Sequence, residues 1–294
     1  MGGGSWSCSV FDDYTRASKG MSSTAYTTAA NLSTQDIFKN YSLDEMLNPK
    51  NVMRECCDSE EHPNTLPVIL ALDVTGSMGS AATKTAQTLN DIMTHLYEAE
   101  MDDDIEFCIM GIGDLAYDRS PIQISQFESD IRIAEQMDKV FFEFGGGGNK
   151  FESYTAAWYM GSRHCQLDCN KRGKKGIIIT MGDELPNPYL PKEQLSRITG
   201  DTLQSDIDTK ELYEEVCEKF DIYHISIDDS DSSYKFFKRN YDIDLEWRKY
   251  LEDNYKVSTL NKLEETIVDI IINRDKNKPS TVFLAEKGES KVSW

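Results

Sequence analysis

The chain has 294 residues, 39% of them apolar, and 31 Lys and Arg against 51 Asp and Glu, for a formal net charge of −20. That charge repels nucleic acid and anionic membrane surfaces over most of the protein, and it favours cations and basic protein faces as partners. The mean hydropathy is −0.52 and no run approaches the roughly 18 apolar residues a membrane helix requires; the length suits one large domain with additions, or two small ones.

Residues 1–65 are rich in Ser, Thr, Gly and Asn and read as an extended arm or docking segment, with one helix-like stretch, TQDIFKNYSLDEMLN. The opening MGGGSWSCSVFDDYTRASKG has neither a basic end nor an apolar block, so no secretory signal is expected. Trp6 stands where a myristoylation signal wants a hydroxyl. Seven cysteines, an odd number with Cys56 and Cys57 adjacent, suit reduced thiols. A cytoplasmic location follows as the expectation.

From residue 67 strands and helices alternate. PVILALD is a continuous apolar run, as a strand covered on both faces must be. SAATKTAQTLNDIMTHLYEAE follows with Ala86, Leu89, Ile92, Met93 and Leu96 on one helical stripe. IEFCIMGIGD is a second strand and PIQISQF an alternating, edge-like third. SDIRIAEQMDKV and ESYTAAWYMGSRH are helical, with Trp158 and Tyr159 read as core. KKGIIITMGDE is a buried strand, TKELYEEVCEKF a helix and DIYHISID a strand; DLEWRKYLED and LEETIVDIIIN are helices with YKVSTL between them as a short strand or turn. Residues 276–294 form a polar tail. This alternation predicts an α/β fold, a doubly wound and mostly parallel sheet flanked by helices, over 66–275. Ligands in such folds sit beyond the carboxyl ends of the strands, and three of those exits carry oxygen ligands: DVTGS, GIGD and TMGDE.

DVTGSMGS, residues 73–80, admits three readings. As a helix cap, Ser77 or Ser80 accepts from free N–H groups, which leaves Asp73 and Thr75 unexplained. As a phosphate loop, GSMGSAATKT has Thr83 where the Walker pattern needs glycine, and Asp73 would face the phosphates. A haloacid-dehalogenase-type site needs a second aspartate where Thr75 stands. As a metal site, Asp73, Thr75 and Ser77 present three oxygens to one side of a tight loop, and Mg²⁺ wants about six. RHCQLDC offers His164, Cys165, Asp168 and Cys169 to zinc, but without a second cysteine pair these read as buried or solvated side chains. In GIGDLAYDR, Asp114, Tyr117, Asp118 and Arg119 read as solvated loop residues near the same rim. No serine, cysteine or threonine has a histidine base beside it in sequence.

DVTGSMGS resembles the metal-ion-dependent adhesion site of von Willebrand factor A domains, whose first loop is D-x-[ST]-x-S. The order strand, DVTGS, long helix, GGGGNKFESYTAAWY, then IIITMGDELP strengthens the resemblance, which covers roughly 66–275. Its second loop resembles the glutamate branch of the family, with Asn149 and Phe151 in place of the branch's aspartate and proline, and nominates Glu152, with Thr155 as the fallback. Its third loop nominates Asp183. The resemblance therefore implies a metal set of Asp73, Thr75, Ser77, Glu152 and Asp183, with Thr155, Asp114 and Glu184 as rim or supporting groups. It implies Mg²⁺ or Mn²⁺ as cofactor and an open coordination position for an Asp or Glu of a protein partner. It implies a non-catalytic adaptor of an intracellular bacterial or phage-like branch, with an AAA+ ATPase as one expected partner. Two other function classes stay open: an assembly protein whose arm and tail contact neighbouring subunits, and a metal-dependent hydrolase.

Overall fold

A computed structural model describes residues 5–29, 32–76, 78–143, 151–228 and 241–274. The segment ahead of the main sheet forms α1 (Cys8–Lys19), α2 (Ser23–Thr28), α3 (Thr34–Ile37) and the short strand β1 (Arg54–Cys56). There follow β2 (Thr65–Asp73), α4 (Gly79–Glu98), β3 (Asp104–Ile112), β4 (Ile122–Ile124) and α5 (Arg132–Met137). After these come β5 (Phe151–Glu152), α6 (Thr155–His164), β6 (Cys165–Leu167), α7 (Asp168–Lys171) and β7 (Gly176–Gly182). The chain continues through β8 (Leu185–Pro186), β9 (Tyr189–Leu190), α8 (Lys192–Thr199), β10 (Ile207–Asp208), α9 (Thr209–Val216) and β11 (Phe220–Ile227). It closes with α10 (Tyr241–Leu251), β12 (Tyr255–Ser258) and α11 (Leu263–Asn273). The expected tail at 276–294 lies outside the described residues.

Six strands form one sheet in the order β12-β11-β7-β2-β3-β4, parallel except for the antiparallel edge pair β3–β4. Counted along the chain this is the 3-2-1-4-5-6 order of a doubly wound sheet, and the strand order reverses between β2 and β7. β2 shows why the run PVILALD is apolar throughout. Leu66, Val68, Leu70 and Leu72 face one core, with α4 and α11, while Ile69 and Ala71 face the other, with α6, α9 and α10. The predicted α4 stripe of Ala86, Leu89, Ile92, Met93 and Leu96 lies in the first of these cores. No described helix is long and apolar enough to cross a membrane.

The segment expected to be an extended arm is instead helical and packed on its own chain. Phe11, Tyr26, Ile37, Phe38 and Leu47 are buried in the core that contains α4. Polar bonds fix it as well: the Trp6 indole N–H donates to Asn90 at 3.1 Å, and Lys19 pairs with Asp138 at 2.8 Å. Apart from the adjacent Ile37 and Phe38, the anchors are single large side chains spaced widely among polar residues, so composition hides them. The helix expected across TQDIFKNYSLDEMLN breaks after α3. Phe38 turns extended to pack its ring, tilted by 37°, against Phe142 at 4.4 Å between centroids, and the Asn40 side chain donates to the Lys139 carbonyl.

The sequence RHCQLDC is structural. His164 donates through Nδ1 to the Val52 carbonyl at 2.9 Å and places Nε2 2.7 Å from an Asp201 oxygen, while β6 pairs with β1. All seven cysteines are free thiols. The stretch between β8 and α9, for which the sequence offered no element, holds α8 and the antiparallel pair β9–β10.

Candidate metal centre

β2 ends on Asp73 at the sheet's reversal point, and the carboxylate turns back onto its own loop. Asp73 Oδ1 accepts from the Thr75 backbone N–H at 2.9 Å and from the Thr75 hydroxyl at 2.5 Å. This is an Asx-type turn, in which a short acidic side chain replaces a backbone acceptor. The loop then passes through Ser77, which lies outside the described residues, into α4. Met78 at the helix N-cap makes no side-chain cap bond, so no described side chain fills the capping role. Asp73 and Thr75 are both buried.

Three other loops meet this one. Asp73 Oδ2 accepts from the Tyr154 hydroxyl at 2.8 Å, and the same hydroxyl accepts from the Glu184 backbone N–H at 3.3 Å. Tyr154 lies flat against the end of β7, where an added Cβ on Gly182 would stand 2.0 Å from its hydroxyl oxygen, so only glycine leaves room. β5 pairs with β8, setting Glu152 beside Pro186. Ser153 Oγ accepts from the Leu115 N–H at 3.0 Å and from the Asn187 side chain at 2.9 Å, which joins the loop after β3 to the loop after β7.

Asp114 and Asp118 depart from the expectation of solvated loop residues: both are buried. Asp118 Oδ2 accepts from the Asp114 N–H at 2.8 Å, and Asp114 Oδ1 accepts from the Ala116 N–H at 2.7 Å. The loop's own N–H groups draw these carboxylates inward, and Gly113 leaves the space, since a Cβ there would meet Asp118 Oδ2 at 2.2 Å. Tyr117 is exposed, as expected. Arg119 belongs to Glu143, to which its N–H donates at 2.9 Å and its Nε at 3.2 Å. The Glu143 backbone in turn pairs with the loop after β2, its N–H donating to the Val74 carbonyl at 3.2 Å beside Thr75.

The charges at this rim are unbalanced. Burial raises the Asp73 carboxyl, opposed by its bonds from Thr75 and Tyr154 and reinforced by Asp183. Burial raises Glu152, and Asp73, Asp114, Asp118 and Glu184 push it further in that order. Burial and Glu184 push Asp183 up to about 6. Three buried oxygens here have no hydrogen-bond partner: Glu152 Oε2, Thr155 Oγ1 and Asp183 Oδ1. Acceptors left unpaired among like charges are costly in a folded protein, and oxygens of this kind are the ligands a hard cation takes. Among the described residues no three His, Cys, Asp or Glu converge into a metal cluster; a site here depends on hydroxyl oxygens as well as carboxylates. The donor set of carboxylates and hydroxyls fits Mg²⁺ or Mn²⁺, and nothing soft or nitrogenous lies in it.

Of the residues nominated from the sequence, Asp73 closes β2, Glu152 closes β5, Thr155 opens α6, and Thr75, Asp114, Asp183 and Glu184 lie on the loops after β2, β3 and β7; Ser77 is outside the described residues. Sequence reasoning passed over Tyr154, Glu143 and Trp247. Tyr154 sits in an aromatic helix start that reads as core, and nothing local marks Trp247, whose indole N–H donates to the Glu184 carbonyl at 3.0 Å.

No protein-family model matches the chain, and no curated protein matches it. Among solved structures it is similar to the pilus adhesin SpaC of Lactobacillus rhamnosus GG in its open conformation, with a TM-score of 0.50 and 14% identity over 76% of this chain and 31% of that one. The chain thus spans under a third of the adhesin's length. It is also similar to the vWF domain of the type V pilus tip protein Mfa5 of Porphyromonas gingivalis, with a TM-score of 0.44 and 11% identity over 78% of this chain and 98% of that one. BatB of Bacteroides thetaiotaomicron, a conserved hypothetical protein, gives a TM-score of 0.42 and 13% identity over 72% and 99%. At such identities the SpaC likeness shows a shared fold alone. Fold and site together define an α/β protein with a doubly wound, mostly parallel sheet and an acidic, hydroxyl-bearing rim at its switch point.

Proposed function

We propose that the chain is a divalent-cation-dependent protein-binding module of the von Willebrand factor A type, non-catalytic and cytoplasmic. The observation that carries this reading is the set of three unpartnered buried oxygens, Glu152 Oε2, Thr155 Oγ1 and Asp183 Oδ1, at a rim already crowded with carboxylates. Asp73, Thr75, Ser77, Glu152 and Asp183 would hold Mg²⁺ or Mn²⁺, with Thr155, Asp114 and Glu184 beside them. The ion supplies a hard electrophilic centre for the carboxylate of a partner's Asp or Glu. Asp73 orients the Thr75 hydroxyl, Tyr154 orients Asp73, and the clamped Glu184 peptide fixes the neighbouring Asp183. The Thr75 and Ser77 hydroxyls are neutral, weakly held ligands, which leaves coordination capacity on the ion for a partner's carboxylate. A partner joined through this rim, an AAA+ ATPase among the classes implied by the resemblance, is bound only while the ion is present.

The alternative of an assembly protein loses Phe11, Tyr26, Ile37, Phe38 and Leu47 as contacts for a neighbouring subunit, because they are buried against the chain's own core, and keeps Val10, Tyr41 and Met46, which are exposed. A pull-down from lysate in Mg²⁺, repeated in EDTA and with Asp73→Ala as bait, tests the reading. One band set that is lost in both controls supports it. The same bands in all three would assign binding to another surface.

A further inference from the structure

The Glu184 peptide is held from both sides. Its N–H donates to the Tyr154 hydroxyl and its carbonyl accepts from the Trp247 indole N–H at 3.0 Å. Tyr154 at the start of α6 also donates to Asp73, so one hydroxyl connects the loop after β2 to the loop after β7. Trp247 lies on α10, fully buried, with its ring stacked on His224 of β11 at 3.7 Å and 10° and tilted against Tyr154 at 5.7 Å. The pair therefore spans from α10, across residue 184, to Asp73. A side chain that holds a ligand-bearing loop by hydrogen bonds tunes affinity without touching the ion.

We infer that Tyr154 and Trp247 form a clamp coupling the cation loops to the seat of α10, so that filling the site changes the surroundings of Trp247 and loosening Trp247 weakens the ion. The inference rests on the cation reading proposed above. Both residues are positioning residues, acting through Asp73 and the Glu184 peptide. Anything that displaces α10 from the sheet, such as a partner binding its outer face, then lowers the rim's hold on the cation, and the cation in return steadies α10.

The test uses the full chain, with Mg²⁺ alone as the probe. Calorimetric titration gives its affinity, and tryptophan emission is followed in parallel. Wild type is expected to bind Mg²⁺ with a change in emission that disappears in Trp247→Phe. Tyr154→Phe keeps the ring and removes the hydroxyl; it is expected to weaken Mg²⁺ about tenfold or more and to erase the emission change. Trp247→Phe is expected to weaken it severalfold. Gly182→Ala places a methyl where the Tyr154 hydroxyl lies and gives the same loss by another route. Trp158→Phe is the control: it alters a buried aromatic in contact with Trp247, 6.2 Å between centroids, whose indole N–H has no partner, and it should leave affinity within about twofold. Wild type that binds Mg²⁺ while Tyr154→Phe, Trp247→Phe and Gly182→Ala bind it equally well overturns the clamp and spares the site. A wild type that binds no Mg²⁺ removes the site and the clamp together.

Discussion

Addition of Mg²⁺ is expected to raise the melting temperature of the wild-type chain and to leave that of Asp73→Ala where it was. A ligand that binds only the folded state at a hundred times its Kd stabilises by about 2.7 kcal/mol, which is about 5–10 °C for a domain approaching this size. Asp73 is the pivot because it faces two loops at once, accepting from Thr75 on one oxygen and Tyr154 on the other. The alanine variant leaves those donors unsatisfied at a cost of about 1–3 kcal/mol, so its starting melting temperature is expected to differ from wild type. Asp73→Asn keeps the shape and one acceptor, and it should also lose most of the Mg²⁺ shift. Differential scanning calorimetry in EDTA and in Mg²⁺ reads both. Equal shifts in wild type and both variants would remove Asp73 from the site.

Glu152→Gln carries the second large effect, and its sign depends on the ion. Without a cation, burial and the charges of Asp73, Asp114, Asp118 and Glu184 raise the Glu152 carboxyl far above its ordinary range, so at neutral pH folding must take up a proton there, and the neutral isostere removes that cost at little loss of packing. The melting temperature in EDTA is then expected to stay level or rise. With Mg²⁺ the same substitution removes an anionic ligand, and affinity is expected to fall by at least about tenfold. Thr155→Ala should weaken Mg²⁺ less, because a hydroxyl contributes no charge. Affinity that falls more in Thr155→Ala than in Glu152→Gln would make Thr155 the ligand of the second loop. A Glu152→Gln chain that melts lower in EDTA yet binds Mg²⁺ unchanged would make Glu152 a structural residue.

The sheet was legible because burial on both faces leaves a mark that needs no partner to be read: PVILALD and GIIITMG are continuous apolar runs, and both are central strands. α4 was legible for the same reason, its stripe falling on one face of the helix. The packed course of residues 5–56 was hidden. Its burial comes from a few anchors such as Phe11 and Phe38, placed by the α4 core and by Phe142 and not by any helical or strand period. Of the rim, the loop ends could be read, because Asp73 and Asp183 follow immediately on buried strands. The inward turn of Asp114 and Asp118 could not, since it depends on hydrogen bonds that close only when the loop is folded. Trp247 was beyond reach because its partner, the Glu184 carbonyl, lies 63 residues earlier in the chain.

The most direct test of the central claim, that loops distant in sequence share one hard cation, is a crystal grown in Mn²⁺ with an anomalous difference map. A single peak is expected at the carboxyl ends of β2 and β7, within bonding distance of oxygens from the 73–77 loop and from Glu152 or Thr155, with Asp183 beside it. A map with no peak there, or with Asp73 and Asp183 turned to separate places around an ordinary water, would contradict it.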